Sequence, residues 1–223
     1  TEELSEKLAD GMAQLERMRA ASTRPPTSAP WDRFMQHVRV CVEYGALERD
    51  TLALTPLGLA ASEVRGENEL WLAAALMQPC LSYLEPPQLA AAIAGLLAPE
   101  TLNRSRAQCN YPPSPEVVEA VRGIEPARQQ LQAIQDAAGI NTDVAVDLRL
   151  SGLVEAWASG ANWEQIMADT TLDEGDVVRM LRRTADFLAQ IKLVNTLPEG
   201  LVAKAAKAAK LVNRAPIADL AMF

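Results

Sequence analysis

The chain has 223 residues, 49% of them hydrophobic and 22% charged, an ordinary globular composition that excludes disorder throughout. Its 21 Lys and Arg against 29 Asp and Glu give a net charge of −8, which spread evenly would repel a phosphate backbone, so indiscriminate coating of nucleic acid is excluded as a stand-alone role. Cys41, Cys80 and Cys109 lie far apart with no CxxC pair, which leaves neither a disulfide framework nor zinc-ligand spacing; they read as reduced, mostly packed thiols.

In chain order, Leu4, Leu8, Met12, Leu15 and Met18 recur at helical spacing and predict an N-terminal helix. The Ser, Thr and Pro of residues 21–30 predict a linker, because Pro-Pro removes backbone donors and clashes with the preceding turn. Residues 1–30 are thus an N-terminal helix and Pro-rich linker, and 31–223 a helical bundle, divided into a lead-in segment 31–66 and a main bundle 67–223. Within the lead-in, Phe34, Val38, Cys41 and Val42 predict a helix closed by Gly45, followed by a short strand over 51–54. Thr55-Pro56 opens the next helix as a cap followed by proline at the first helical position.

Another helix is expected after Gly66, then one from Pro86-Pro87 through Leu97, and a long one from Ser114-Pro115 to near Gly139. A helix over 144–159 follows. Asn162 with Gln165, and Thr171 with Glu174, have capping-box spacing and predict two more helix starts. Residues 201–212 and 216–223 are helix-compatible, and β-rich runs are nearly absent after Leu54. The expected fold is all-α, a helical bundle with a small winged-helix-like or helical N-terminal portion. No run approaches the length of about 18 apolar residues that a membrane span needs, and the first residues lack signal-peptide order; the start at Thr1 suggests a piece of something longer.

Catalytic fingerprints are missing: there is no Gly-rich phosphate cradle, no Ser-His-Asp set, and a single histidine, His37, which reads as a surface or core-edge residue. The chemically informative stretch is 174–191. At about 100° per residue, Val177, Leu181, Thr184, Leu188 and Ile191 share one side, and roughly two-thirds of the circumference is apolar or small. The remaining narrow stripe holds Arg179, Arg182, Arg183, Asp186 and Gln190. A helix suited to burial that presents three guanidinium groups along one line suits the wall of a polar channel, since arginine pairs with phosphate through two parallel N–H bonds and stacks on bases. Alternatively, Arg182 and Arg183 simply pair with Asp186 at i,i+4 and i,i+3, each pair contributing about 0.2–0.5 kcal/mol. Charge favours the first reading slightly: residues 174–214 hold 8 basic and 4 acidic residues, a net of +4, against −12 elsewhere. Lys204, Lys207 and Lys210 read as a solvated face, and Trp31, Trp71, Trp157 and Trp163 as core anchors.

Trp157 to Gln190, with Gly160, Ile166, Thr170, Glu174-Gly175-Asp176 and Arg179-Met-Leu-Arg182-Arg183, resembles the C-terminal DSHCT domain of DExH-box RNA helicases of the exosome-associated and superkiller type. LTPLGLAA at 54–61, ENELW at 67–71, the 84–100 segment and the terminal 213–220 segment are similar to it as well, so the resemblance covers about 31–223. The alanine-rich sequence and the Pro at 216 look more like the bacterial, cyanobacterial or plastid branch than like eukaryotic nuclear members. The resemblance implies a helical bundle packed on two RecA-like motor domains, with a ratchet helix facing single-stranded RNA. Arg179 and Arg183 match its RNA-facing arginines, with Arg182 between them; Asp186 and Gln190 continue the stripe, and Glu100 matches an acidic position near the strand. It further implies that ATP and Mg belong to motor domains absent from this chain, which has no cofactor of its own, that RNA-degradation or processing factors are possible partners, and that the location is cytoplasmic or, for a plastid member, stromal. Two other readings remain open: a helix-turn-helix DNA-binding regulator with 163–168 as first helix and 173 onward as recognition helix, and a structural or protein-interaction scaffold whose arginines make internal salt bridges.

Overall fold

The computed structural model describes residues 29–101, 109–142 and 144–218, the side chains of 98–101 excepted. The helix expected over 4–18 and nearly all of the Pro-rich linker lie outside the described residues. Those described are helical, joined by turns, with no strand among them.

Helix α1 (Ala29–Glu43) ends at Gly45, whose φ of +86° is the left-handed conformation that glycine adopts without a Cβ penalty. Its first half carries Trp31 and Phe34 outward, 41% and 55% exposed, so Trp31 is not the core anchor expected of it. The strand expected over 51–54 is a single antiparallel bridge between Leu47 and Leu54, because the turn between them leaves room for one pairing only. Helix α2 (Pro56–Glu63) follows, capped as expected by Thr55, whose Oγ1 accepts the Gly58 N–H at 3.2 Å and donates to the Gly45 carbonyl at 2.7 Å. Helix α3 (Glu69–Leu76) starts at an Asn68 cap, and a short 3-10 turn (Pro79–Tyr83) leads to α4 (Pro86–Thr101).

Helix α4 is the axis of the bundle. Leu89, Ala90, Ala91, Ala92 and Ile93 are fully sealed from solvent, with Ala94, Leu96 and Leu97 nearly so, as expected of a helix apolar all round. Around it pack α5 (Pro115–Ala137), α6 (Ser151–Ala158), α8 (Glu174–Ile191) and α9 (Glu199–Val212), while the short α7 (Trp163–Ala168) lies against α6. The alanines of α4 allow close approach. At the α6 start a Cβ on Gly152 would fall 2.1 Å from the Tyr111 carbonyl oxygen, so only glycine fits there.

Three local expectations give way to tertiary contacts. The helix expected over 144–159 begins only at Ser151, because distant groups claim the preceding backbone: Arg128 Nη1 donates to the Val144 carbonyl at 3.1 Å, the Asp147 N–H to the Gly95 carbonyl at 3.0 Å, and Cys109 Sγ to the Arg149 carbonyl at 3.2 Å. The cap of α8 is Asp173 rather than Thr171, with Asp173 Oδ1 accepting the Asp176 N–H at 2.8 Å; an aspartate there also meets the positive end of the helix. The Asn162–Gln165 capping box, by contrast, forms with both bonds at 2.9 Å. Beyond α9 the helix expected from 216 is, over its described part, a turn through residue 218.

That end of the chain is fixed by Trp157. Its indole Nε1 donates to the Val212 carbonyl at 2.8 Å, and the Arg214 guanidinium lies 3.5 Å above its ring while donating to the carbonyls of Trp157 and Ala161. Gly152→Ala is expected to cost about 3 kcal/mol, since its Cβ would overlap backbone that cannot rotate away. Gly200→Ala, whose Cβ would meet open space inside α9, should instead stabilise by about 0.5–1 kcal/mol. Urea denaturation of the two variants checks both the signs and the contrast.

Candidate nucleic-acid interface

The stripe becomes a site because α8 has only one way to pack. Val177, Met180, Leu181, Thr184, Ala185, Phe187, Leu188 and Ile191 are buried against α4 and α9, and the Thr184 hydroxyl is satisfied by donating to the Met180 carbonyl at 2.9 Å. What remains outward is the line of Arg179, Arg182, Arg183, Asp186 and Gln190. All five line one open groove of about 640 Å³, together with Gly175, Val178, Phe187, Leu97 of α4 and Arg65 from the turn between α2 and α3. Four guanidinium groups and one carboxylate therefore share a single concave surface on a chain whose net charge is −8. Such a surface concentrates positive potential locally and suits a polyanion.

The three arginines of α8 differ in their surroundings. Arg179 is the most exposed and is tied to Asp176 one turn back, Nη1 to Oδ1 at 2.9 Å, in a solvated pair of the kind that contributes less than about 1 kcal/mol. The acid that pairs with Arg179 is thus Asp176, and the Asp186 carboxylate is exposed in the groove. Arg182 is half-buried, and its Nη2 is sealed without a hydrogen-bond partner among the described residues. Arg183 is also half-buried; desolvation pushes its guanidinium below the ordinary arginine value, and the negative charge of Glu67 acts in the opposite sense. Gln190 Oε1 accepts the Arg65 backbone N–H at 2.8 Å, which joins the end of α8 to the α2–α3 turn.

Of the residues singled out from sequence, five lie together in this groove. Glu100 sits in the last turn of α4, whose Leu97 lines the groove, and its own side chain is outside the described residues. Arg65 was not anticipated. No local periodicity could have found it, because it reaches the groove from 125 residues away along the chain. The remaining candidates are elsewhere: His37 is exposed on α1 with Nδ1 2.8 Å from the Arg33 carbonyl, and Lys204 donates to the Ser82 carbonyl at 3.0 Å. Among the described residues no group of His, Cys, Asp and Glu could hold a metal ion, and no helix is long and apolar enough to cross a membrane.

Comparison with known proteins agrees with this architecture. Residues 51–219 match the DSHCT (NUC185) domain. The chain is 41% identical over 193 residues to the DExH-box ATP-dependent RNA helicase DExH15, chloroplastic, of Arabidopsis thaliana; the alignment covers 86% of this chain and 16% of that relative.

Arg182 carries a stability cost that its position in the groove explains. A buried, unsatisfied donor costs about 1–3 kcal/mol, and a methionine of similar length would remove it while keeping the packed stem. Arg182→Met is therefore expected to leave the urea midpoint unchanged or raise it; a clear fall would mean that the guanidinium is structurally required.

Proposed function

The chain belongs to the DSHCT domain family, and from that premise we propose that it is the accessory helical domain of an ATP-dependent RNA helicase, with α8 as the helix that grips single-stranded RNA. The observation that carries this reading is the groove: Arg179, Arg182 and Arg183 stand in line on a helix otherwise committed to the core, facing an open groove of about 640 Å³. Their N–H groups would take phosphate oxygens of any sequence, as a translocating motor needs, because the backbone repeats from step to step while the bases do not. Asp186 offers an acceptor for ribose hydroxyls or base N–H groups, Gln190 steadies the groove at its far end, and Glu100 stands at the end of the neighbouring helix.

Two RecA-like motor domains of the same polypeptide would supply ATP and Mg chemistry and the opposite wall of the channel. This domain would then do two things: brace the motors through its rigid bundle, and hold the strand while they reset. RNA-processing or degradation factors are further partners of such a machine, in the cytoplasm or, as the name of the chloroplastic relative suggests, in a plastid. A helix-turn-helix reading fits less well. A recognition helix must project into a major groove about 12 Å wide, whereas α8 is sunk into the bundle and its polar line lies recessed beside Leu97 and the α2–α3 turn.

The test is RNA-stimulated ATPase and unwinding by the full-length protein, comparing wild type with Arg179→Ala/Arg183→Ala after thermal melts confirm equal folding. Basal ATPase should persist while unwinding falls about tenfold or more, as expected when two charge-assisted contacts are lost. Unwinding equal to wild type would overturn the strand-gripping role and leave the domain as a brace.

A further inference from the structure

We propose that Arg65, outside the ratchet helix, is a fourth phosphate-binding group of the strand groove, and that Gln190 is the residue that positions it. The proposal rests on the reading of the groove as an RNA path. Arg65 sits in the turn between α2 and α3, is exposed, and lines the groove together with the arginines of α8. Its guanidinium is already oriented: Nη1 donates to the Ser62 carbonyl at 2.8 Å and to the Val64 carbonyl at 3.0 Å, both orphan acceptors at the end of α2. Nε and Nη2 make no hydrogen bond among the described residues and remain available to a ligand. A guanidinium held by one nitrogen loses little further side-chain freedom when its other donors take a phosphate.

The turn that carries Arg65 is itself fixed from α8. Gln190 Oε1 accepts the Arg65 N–H at 2.8 Å, and just beyond α8 the Asn195 N–H donates to Glu63 Oε2 at 3.3 Å. Two contacts thus hold the end of α2 to the end of α8, so the distance between Arg65 and the α8 stripe is set by side-chain bonds rather than by chain connectivity. The carbonyl oxygen of Gln190 is engaged by the turn, and its part in RNA binding then runs through Arg65. A strand in this groove would be held from two elements, α8 and the α2–α3 turn, rather than by the single row of cations on α8.

The test measures binding of a fluorescein-labelled 12-residue oligouridylate to the full-length protein by anisotropy, over a salt series starting at low ionic strength. Arg65→Ala should weaken binding about fivefold, and removing one phosphate contact should lower the slope of log affinity against log salt by about 0.7. Arg65→Gln, whose amide can still reach the α2 carbonyls, should show the same loss and so separates charge from any disturbance of the turn. Gln190→Met should weaken binding less than Arg65→Ala does, and the double variant should match Arg65→Ala alone. If Arg179→Ala/Arg183→Ala weakens binding while both Arg65 variants bind as wild type does, this inference falls and the proposed function stands. If Gln190→Met and Arg65→Ala add independently, the positioning role of Gln190 is overturned. Indifference of binding to all of these substitutions would overturn the RNA groove itself.

Discussion

Everything in this bundle is arranged around a helix that shows no solvent face from Leu89 to Leu97. Leu89 through Ile93 of α4 are fully sealed, and α5, α6, α8 and α9 each bury a stripe against it. Its consecutive alanines matter because small side chains let neighbouring backbones approach closely, and close approach makes interhelical geometry sensitive to single methyl groups. Gly95 of α4 shows the tightness, since a Cβ there would fall 2.9 Å from a Leu148 methyl and 3.0 Å from the Ser151 hydroxyl. Once α4 is enclosed, α8 has one rotation about its axis that buries Leu181, Phe187 and Leu188, and that rotation turns the arginines outward. The face that carries the arginines is thus selected by the packing face.

The groove also shows a division between cohesion and chemistry. Its most exposed arginine, Arg179, is compensated by Asp176 at the start of the helix, where an acid also complements the helix dipole. Arg182 and Arg183 are half-buried, with a sealed donor on the first and a desolvated charge on the second. A sealed guanidinium nitrogen without a partner among the described residues, as on Arg182, is unfavourable for folding. The charge balance has the same sense: residues 174–214, of net +4, are set into a chain whose remainder is strongly acidic.

Rigidity behind α8 comes from a second set of contacts. Trp157 of α6 donates its indole N–H to the last turn of α9, and Arg214, stacked on the same ring, bonds two carbonyls near the end of α6. Burial holds the Arg214 guanidinium below its ordinary value, and the aromatic face and carbonyl acceptors offset that desolvation. The α9 helix is thereby pinned at its end to α6, and α8 rests on α9 along its length. A load applied to the groove by a moving strand would pass into α9 and α4 rather than into a loop.

Much of this was legible in the sequence. The 3.6-residue periodicity of apolar positions placed the helices, Thr55-Pro56 and Asn162–Gln165 placed two of the starts correctly, and the line of Arg179, Arg182 and Arg183 followed from angles alone. Such features are local, fixed by residues within a turn or two of each other, so pattern suffices. The tertiary structure decided what depends on distant partners. The segment before Ser151 stays extended because groups of α4, α5 and Cys109 take its backbone, and the predicted strand at 51–54 is reduced to one bridge at Leu54. Arg65 joins the groove only because a glutamine 125 residues away accepts its backbone N–H. Sequence alone determined which side of α8 carries charge; only the folding of α2 against the end of α8 decided that this charge shares its groove with Arg65, because no local repeat encodes a contact between residues so far apart.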